Sequence, residues 1–190
     1  MKMLKKLLAV VLTGAMALTL LTACGGNAVN DKNIADALND MAKANDTNIT
    51  FTSRAEEREM ARKIAALLES ETATATVADG DENSDSEFEK AAKNILGCNK
   101  GGANENNFVW FGWARTDKIG ASGQAYQLLD QIRQTDKAIT AESLTSKKMK
   151  PKDTRHMGTA LCMMPDDHNG DGKLVTVRII VVTAEPADKK

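Results

Sequence analysis

From residue 31 onward the chain alternates between two periods. Apolar residues recur every three or four positions, stop at clusters of turn formers, and later recur every second position. Ile34, Leu38, Met41 and Ala42 predict an amphipathic helix over about 31–44, broken by Asn45-Asp46-Thr47-Asn48. Ile49-Thr50-Phe51 is a short extended piece. Ser53-Arg54-Ala55-Glu56 has the form of a capping box and predicts a second helix over about 53–69, with Met60, Ile64, Leu67 and Leu68 on its buried stripe. Arg54, Arg58, Arg62 and Lys63 interleave with Glu56, Glu57 and Glu59, which predicts a solvated face laced with helical ion pairs.

Residues 69–85 shift to a Thr/Ala run followed by carboxylates and read as a mobile acidic insertion, too polar to bury itself. Ser86-Glu87-Phe88-Glu89 opens a third helix that runs to Leu96, with Gly97 placed as a left-handed C-cap. The glycines of 97–102 precede no Gly-Lys-Ser/Thr and no helix, so they do not form a phosphate cradle. Phe108 to Ala114 carries aromatics on both parities and predicts a strand buried on both faces. A fourth helix follows over about 122–135, with Ala125, Leu128, Leu129 and Ile132 inward. Met157–Met164 and Lys173–Thr183 are strand-like runs joined by the polar turn 165–172, a hairpin. Val175, Val177, Ile179 and Val181 share one face of its second strand. The opposite face, with Arg178 among Leu174, Thr176, Ile180 and Val182, is expected to be only partly wet.

The first 23 residues follow another pattern. Lys2, Lys5 and Lys6 precede an uncharged run from Leu7 to Leu21, short of the ~20 residues a membrane-spanning helix requires. Leu21-Thr22-Ala23-Cys24-Gly25-Gly26 closes it and resembles a bacterial lipoprotein leader: cleavage before Cys24, and acylation of the new N-terminal cysteine. Two or three acyl chains hold a protein stably on a bilayer where one does not, at ~0.8 kcal/mol per buried methylene. The expected organisation is therefore a signal peptide over 1–23, a tether and first helix over 24–46, and a folded domain over 47–185. The expected location is the extracytoplasmic face of the cell membrane.

Removing the leader takes three lysines and no acid from totals of 25 basic and 26 acidic residues, leaving a net charge of −4. That balance argues against a nucleic-acid partner, which calls for a basic face. Aromatics are 4% of the chain, so the core must rest on aliphatic side chains.

With Cys24 acylated, Cys98 and Cys162 remain. In an exported chain an even pair suggests a disulfide, closing a loop worth ~4 kcal/mol. Two buried free thiols are the alternative. Asp167-x-Asn169-x-Asp171-Gly172 matches the first half of an EF-hand-type calcium loop, but Arg178 stands where a bidentate Glu belongs and a strand follows. A hairpin turn demands the same residues, so calcium is the lesser reading and no other cofactor is indicated. His156 and His168 are the candidate general bases, neither beside a recognisable nucleophile. No zinc-ligand spacing is present.

Met149-Lys150-Pro151 followed by Arg155-His156-Met157-Gly158-Thr159-Ala160, with helices, a strand, a helix and paired strands in this order, is similar to the CAP (SCP-like, cysteine-rich secretory) superfamily over about 47–182. The resemblance implies an α+β domain: a three-layer α-β-α sandwich around a small antiparallel sheet, ending in a C-terminal β-hairpin. The family's cavity uses two histidines and two acidic residues, often with a divalent metal. Here Ser143-Leu144-Thr145-Ser146 offers no histidine and nothing before His156 supplies the other, while Glu105-Asn106-Asn107-Phe108 faintly echoes the acidic motif. Without that metal-binding set the resemblance implies an extracellular binding or structural domain and not a metalloenzyme; with the leader, the expectation is a lipid-anchored, non-catalytic envelope domain that binds a partner or small ligand. The groove is expected near Trp110, Trp113 and His156. An envelope hydrolase using His156 or His168, and a calcium-stabilised adhesion module, are the alternatives.

Overall fold

The computed structural model describes residues 30–73, 87–116, 119–133, 144, 149–165 and 173–187. Eight elements follow one another: α1 (Asp31–Ala44), β1 (Thr50–Ser53), α2 (Ala55–Ala73), α3 (Glu87–Ile95), β2 (Phe108–Arg115), α4 (Ala121–Arg133), β3 (Thr154–Pro165) and β4 (Leu174–Ala184). The fold is α+β. Its four strands form one sheet in the order β1-β3-β4-β2. β3, β4 and β2 are antiparallel neighbours, with Met157 and Trp110 both opposite Val182. β1 adds a parallel edge, Thr50 opposite Thr154 and Ser53 opposite Met157. The expected antiparallel sheet is therefore a mixed one. The parallel pair joins segments about a hundred residues apart, a pairing that local patterning does not encode.

Strand alternation divides the helices between the two faces. Ala61, Ile64 and Ala65 of α2, with Ala92 and Leu96 at α3, pack on Val109, Cys162, Val177, Ile179 and Val181. Phe88 and Phe111 meet within that layer, ring centroids 6.5 Å apart. On the other face α4 packs against β2 and α1, and α1 against β1 and β3. Ile34, Leu38, Ala125 and Leu128 are fully or almost fully buried there, as are Ile180 and Val182 of the strand face expected to be partly wet. Helices on both faces give the sandwich layering. The first helix, grouped with the tether on sequence grounds, belongs to the same compact unit, which begins at Asp31.

Local chemistry ends α1 and α3 where the pattern predicted. Gly97 sits at φ +67°, its N–H bonded to the Asn94 carbonyl and that of Cys98 to the Lys93 carbonyl, which closes α3 with a Schellman motif. α1 ends the same way on Asp46 at φ 51°. The start of α2 differs from the expected capping box. Ser53 is the last residue of β1, and its hydroxyl donates to Asp31 and accepts from Arg58 instead of capping. α2 also runs to Ala73, past the expected end at Glu69, into the first residues of the expected insertion; 74–86 lie outside the described residues.

α2 lies unusually close to β3. A Cβ on Gly158 would fall 2.0 Å from the Arg58 amide nitrogen and 2.4 Å from the Glu57 carbonyl carbon, both backbone atoms that cannot swing aside. Gly158→Ala is expected to destabilise by about 3 kcal/mol, a fall in Tm of roughly 6–12 °C. Gly120→Ala, in open space, is expected to leave the Tm within a degree or two. Thermal unfolding of the two variants checks both.

Candidate functional site

Three polar constellations interrupt the apolar layers. The first is built on Asp31, the opening residue of α1. β1 stops opposite Met157, so the N–H of Thr159 on the outer edge of β3 has no strand to donate to. It donates to Asp31 Oδ1 at 3.1 Å, and the Thr159 hydroxyl donates to the same oxygen at 2.5 Å. Arg58 Nε of α2 donates to Asp31 Oδ2 at 2.5 Å. The Thr159 oxygen in turn accepts from Arg178 Nη1 at 2.9 Å, and Arg178 Nε donates to Gln124 Oε1 of α4 at 2.7 Å. Gln124 donates onward to the Ile119 carbonyl. One carboxylate thus ties α1, α2, β3, β4 and α4 through groups that are almost all buried. Burial pushes the Arg178 guanidinium below its usual range, and attraction to Asp31 partly offsets this.

The second constellation centres on Glu57, whose side chain is fully buried. On the sequence it belonged to a solvated face. It falls instead on the stripe of Ala61, Ile64 and Ala65, at steps of four, seven and eight residues. That offset was the available signal: a carboxylate on the core register of a helix. Arg54 Nε donates to Glu57 Oε2 at 2.7 Å, Arg54 Nη2 donates to Oε1, and the Thr183 hydroxyl donates to Oε1 at 2.5 Å. Desolvation raises the Glu57 carboxyl, but the bonds from Arg54 and Thr183 outweigh it and hold the group below its ordinary value of 4.5. Beside it on the same face of β3 stands His156, opposite Thr183, with a buried Nδ1 that has no hydrogen-bond partner. Exposed Glu185 accepts from Lys152 at 2.6 Å, a bond that lowers its carboxyl, with His156 and Arg54 adding weaker attraction.

The third lies on the opposite face of β3. The Arg155 guanidinium sits over the Trp110 ring, its central carbon 4.8 Å from the centroid, and Phe108 stacks on Trp110 at 5.9 Å. Arg155 is 8% exposed and Trp110 2%. Neither Arg155 Nη1 nor Trp110 Nε1 has a hydrogen-bond partner. Burial pushes Arg155 down to about 10, with attraction to Asp153 acting the other way.

The structure separates the residues expected to line one groove. Trp110 is buried, whereas Trp113, 49% exposed, follows Phe111 on the other face of β2. His156 and Arg155 likewise point to opposite sides of β3. Trp110 and Trp113 therefore do not share a wall. The expected disulfide is not formed: Cys98 and Cys162 are free thiols bordering the same core cluster. The Cys162 Sγ donates to the Ala65 carbonyl at 3.5 Å and the Cys98 Sγ to the Leu96 carbonyl at 3.8 Å, so both are engaged as S–H groups. Burial pushes both up to about 11. Cys24, His168 and the calcium candidates Asp167, Asn169 and Asp171 lie outside the described residues. Among the described residues no group of three or more His, Cys, Asp or Glu is placed to hold a metal ion. No family model, curated protein or solved structure matches the chain.

Three outcomes follow from this geometry. Asp31→Ala leaves the buried Thr159 N–H without its acceptor and removes the carboxylate that balances the buried charge of Arg178, and is expected to cost about 3–5 kcal/mol. Asp36→Ala, which removes an exposed carboxylate 4.0 Å from Lys32 on the same helix, is expected to stay within ~0.5 kcal/mol; denaturant titration compares them. Because the folded-state value of Glu57 is depressed, its contribution is complete above 4.5 and is lost as pH falls through the lowered value. Stability measured between pH 6 and 3 should fall on that limb, and Glu57→Gln should flatten it. With both thiols near 11, only about one part in a thousand is thiolate at pH 8. Cys98 and Cys162 should therefore alkylate slowly when folded and rapidly in denaturant, without added reductant.

Proposed function

We propose that this chain is a lipid-anchored, extracytoplasmic domain of the bacterial cell envelope, CAP/SCP-like, acting as a binding or structural module. The observation that carries the reading is the leader. A basic n-region and an uncharged run end on Leu21-Thr22-Ala23-Cys24, and the compact unit opens at Asp31, seven residues later. The layering of helices on both faces of the sheet is that of the sandwich the CAP resemblance implies, while the parallel β1 edge departs from its antiparallel sheet. The net acidity of the chain without its leader fits a partner other than nucleic acid.

Labelling of the full chain with radioactive palmitate in a bacterial host tests this reading. Cys24→Ser is expected to abolish incorporation and to move the protein from the membrane to the soluble fraction. An unlabelled wild-type chain recovered from the cytosol with its leader intact would overturn it.

One observation favours a second reading, an envelope hydrolase: the buried, unpartnered Nδ1 of His156 beside Glu57 and Thr183. A general base has to have a free ring nitrogen at its substrate. Ester hydrolysis that is present in the wild type and lost in His156→Ala would establish it. Equal rates in the two proteins would dismiss it.

A further inference from the structure

We infer that the corner formed by Arg155 and Trp110 binds a small organic monocarboxylate, whose two oxygens accept from Arg155 Nη1 and Trp110 Nε1. The buried arginine on β4 is saturated by contrast: Arg178 donates to Gln124 and to Thr159 and lies within the field of Asp31. Arg155 has the aromatic ring and the distant pull of exposed Asp153, and its Nη1 donates to nothing. A buried donor left unpaired costs about 1–3 kcal/mol, and more when the group is charged. Two such donors, on residues more than nine-tenths buried whose guanidinium and indole ring lie against each other, are complementary to something absent from the chain's own hydrogen bonding.

Charge and shape define what fits. One guanidinium balances one negative charge; a phosphate near −2 would leave excess charge in a desolvated place. A carboxylate offers two oxygens in a plane, matching a guanidinium N–H and an indole N–H. The surroundings are apolar. Phe108 covers the indole, Phe51 is paired with Arg155 across the β1–β3 register, and Val182 and Ala184 lie opposite Trp110 and Phe108. A carboxylate on an apolar body is therefore favoured over a polyanion.

This inference rests on the binding half of the function proposed above and not on the lipid anchor, so the palmitate experiment and the following one fail independently. The full chain in detergent, with exposed Trp113→Phe to leave Trp110 as the sole indole, is titrated with acetate, benzoate and phosphate against chloride at constant ionic strength. Saturable changes in Trp110 emission and a rise in Tm are expected for the two carboxylates. Benzoate should bind more tightly than acetate, and phosphate should match chloride.

Arg155→Met should weaken carboxylate binding at least tenfold while raising the ligand-free Tm or leaving it unchanged, because it removes a buried charge. Arg155→Lys keeps the charge but loses the planar fork and should weaken binding by a smaller factor. Trp110→Phe, followed by thermal shift, keeps the ring and removes the N–H, and should also weaken binding. A phosphate response equal to that of the carboxylates, no saturable response to any of them, or identical titrations in Arg155→Met would overturn the inference.

Discussion

The structure depends on one carboxylate placed where a strand runs out. β3 is longer than the parallel edge strand beside it, and beyond Met157 its outer N–H groups face no partner strand. Asp31 takes the Thr159 N–H and Glu69 takes that of Met163, at 3.1 and 3.0 Å. On β1 the Asn39 amide plays the same part, donating to the Phe51 carbonyl and accepting its N–H, at 3.0 and 2.6 Å. Side chains of α1 and α2 thus occupy positions of a missing strand. An edge finished in this way presents fewer open groups to a second chain.

Satisfying an edge with a charge has a consequence for packing. A desolvated Asp31 is tolerable only with several donors around it, so Arg58, Thr159 and, through Thr159, Arg178 and Gln124 must arrive together. These side chains come from four different elements. Their geometry therefore constrains the relative placement of the helices on the two faces more tightly than apolar contact does, since apolar packing is non-directional. Glu57 repeats the device on the other face, joining the first turn of α2 to β4 through Thr183, at the place where Gly158 lets the helix backbone approach the sheet.

Set against these saturated clusters, the donors that lack partners stand out. Arg155 Nη1 and His156 Nδ1 come from adjacent positions of β3 on opposite faces, and Trp110 Nε1 comes from β2 across β4, on the face of Arg155. Among the described residues, the buried side-chain nitrogens and oxygens without a partner are those on which the proposed binding and hydrolytic readings rest.

Elements were legible in the residues themselves because helix and strand periods and turn formers act over a few residues. The first helix, the left-handed cap at Gly97, the doubly buried strand of Phe108 to Ala114 and the C-terminal hairpin all followed from local spacing. The lipobox-like stretch that ends on Cys24, on which the proposed anchor rests, is likewise a local motif. What tertiary structure decided was every property that depends on a distant partner. β1 pairs with a strand about a hundred residues on, and Ser53 binds Asp31 instead of capping its own helix. Glu57 leaves the solvated face that its neighbours keep, and Trp110 and Trp113 part to opposite sides of the sheet. Cys98 and Cys162 meet the same core cluster without joining. The physical reason is common to all of them. Charges, thiols and indoles have no intrinsic preference for one role, and which groups surround them after folding determines whether they pair, stay apart or wait for a ligand.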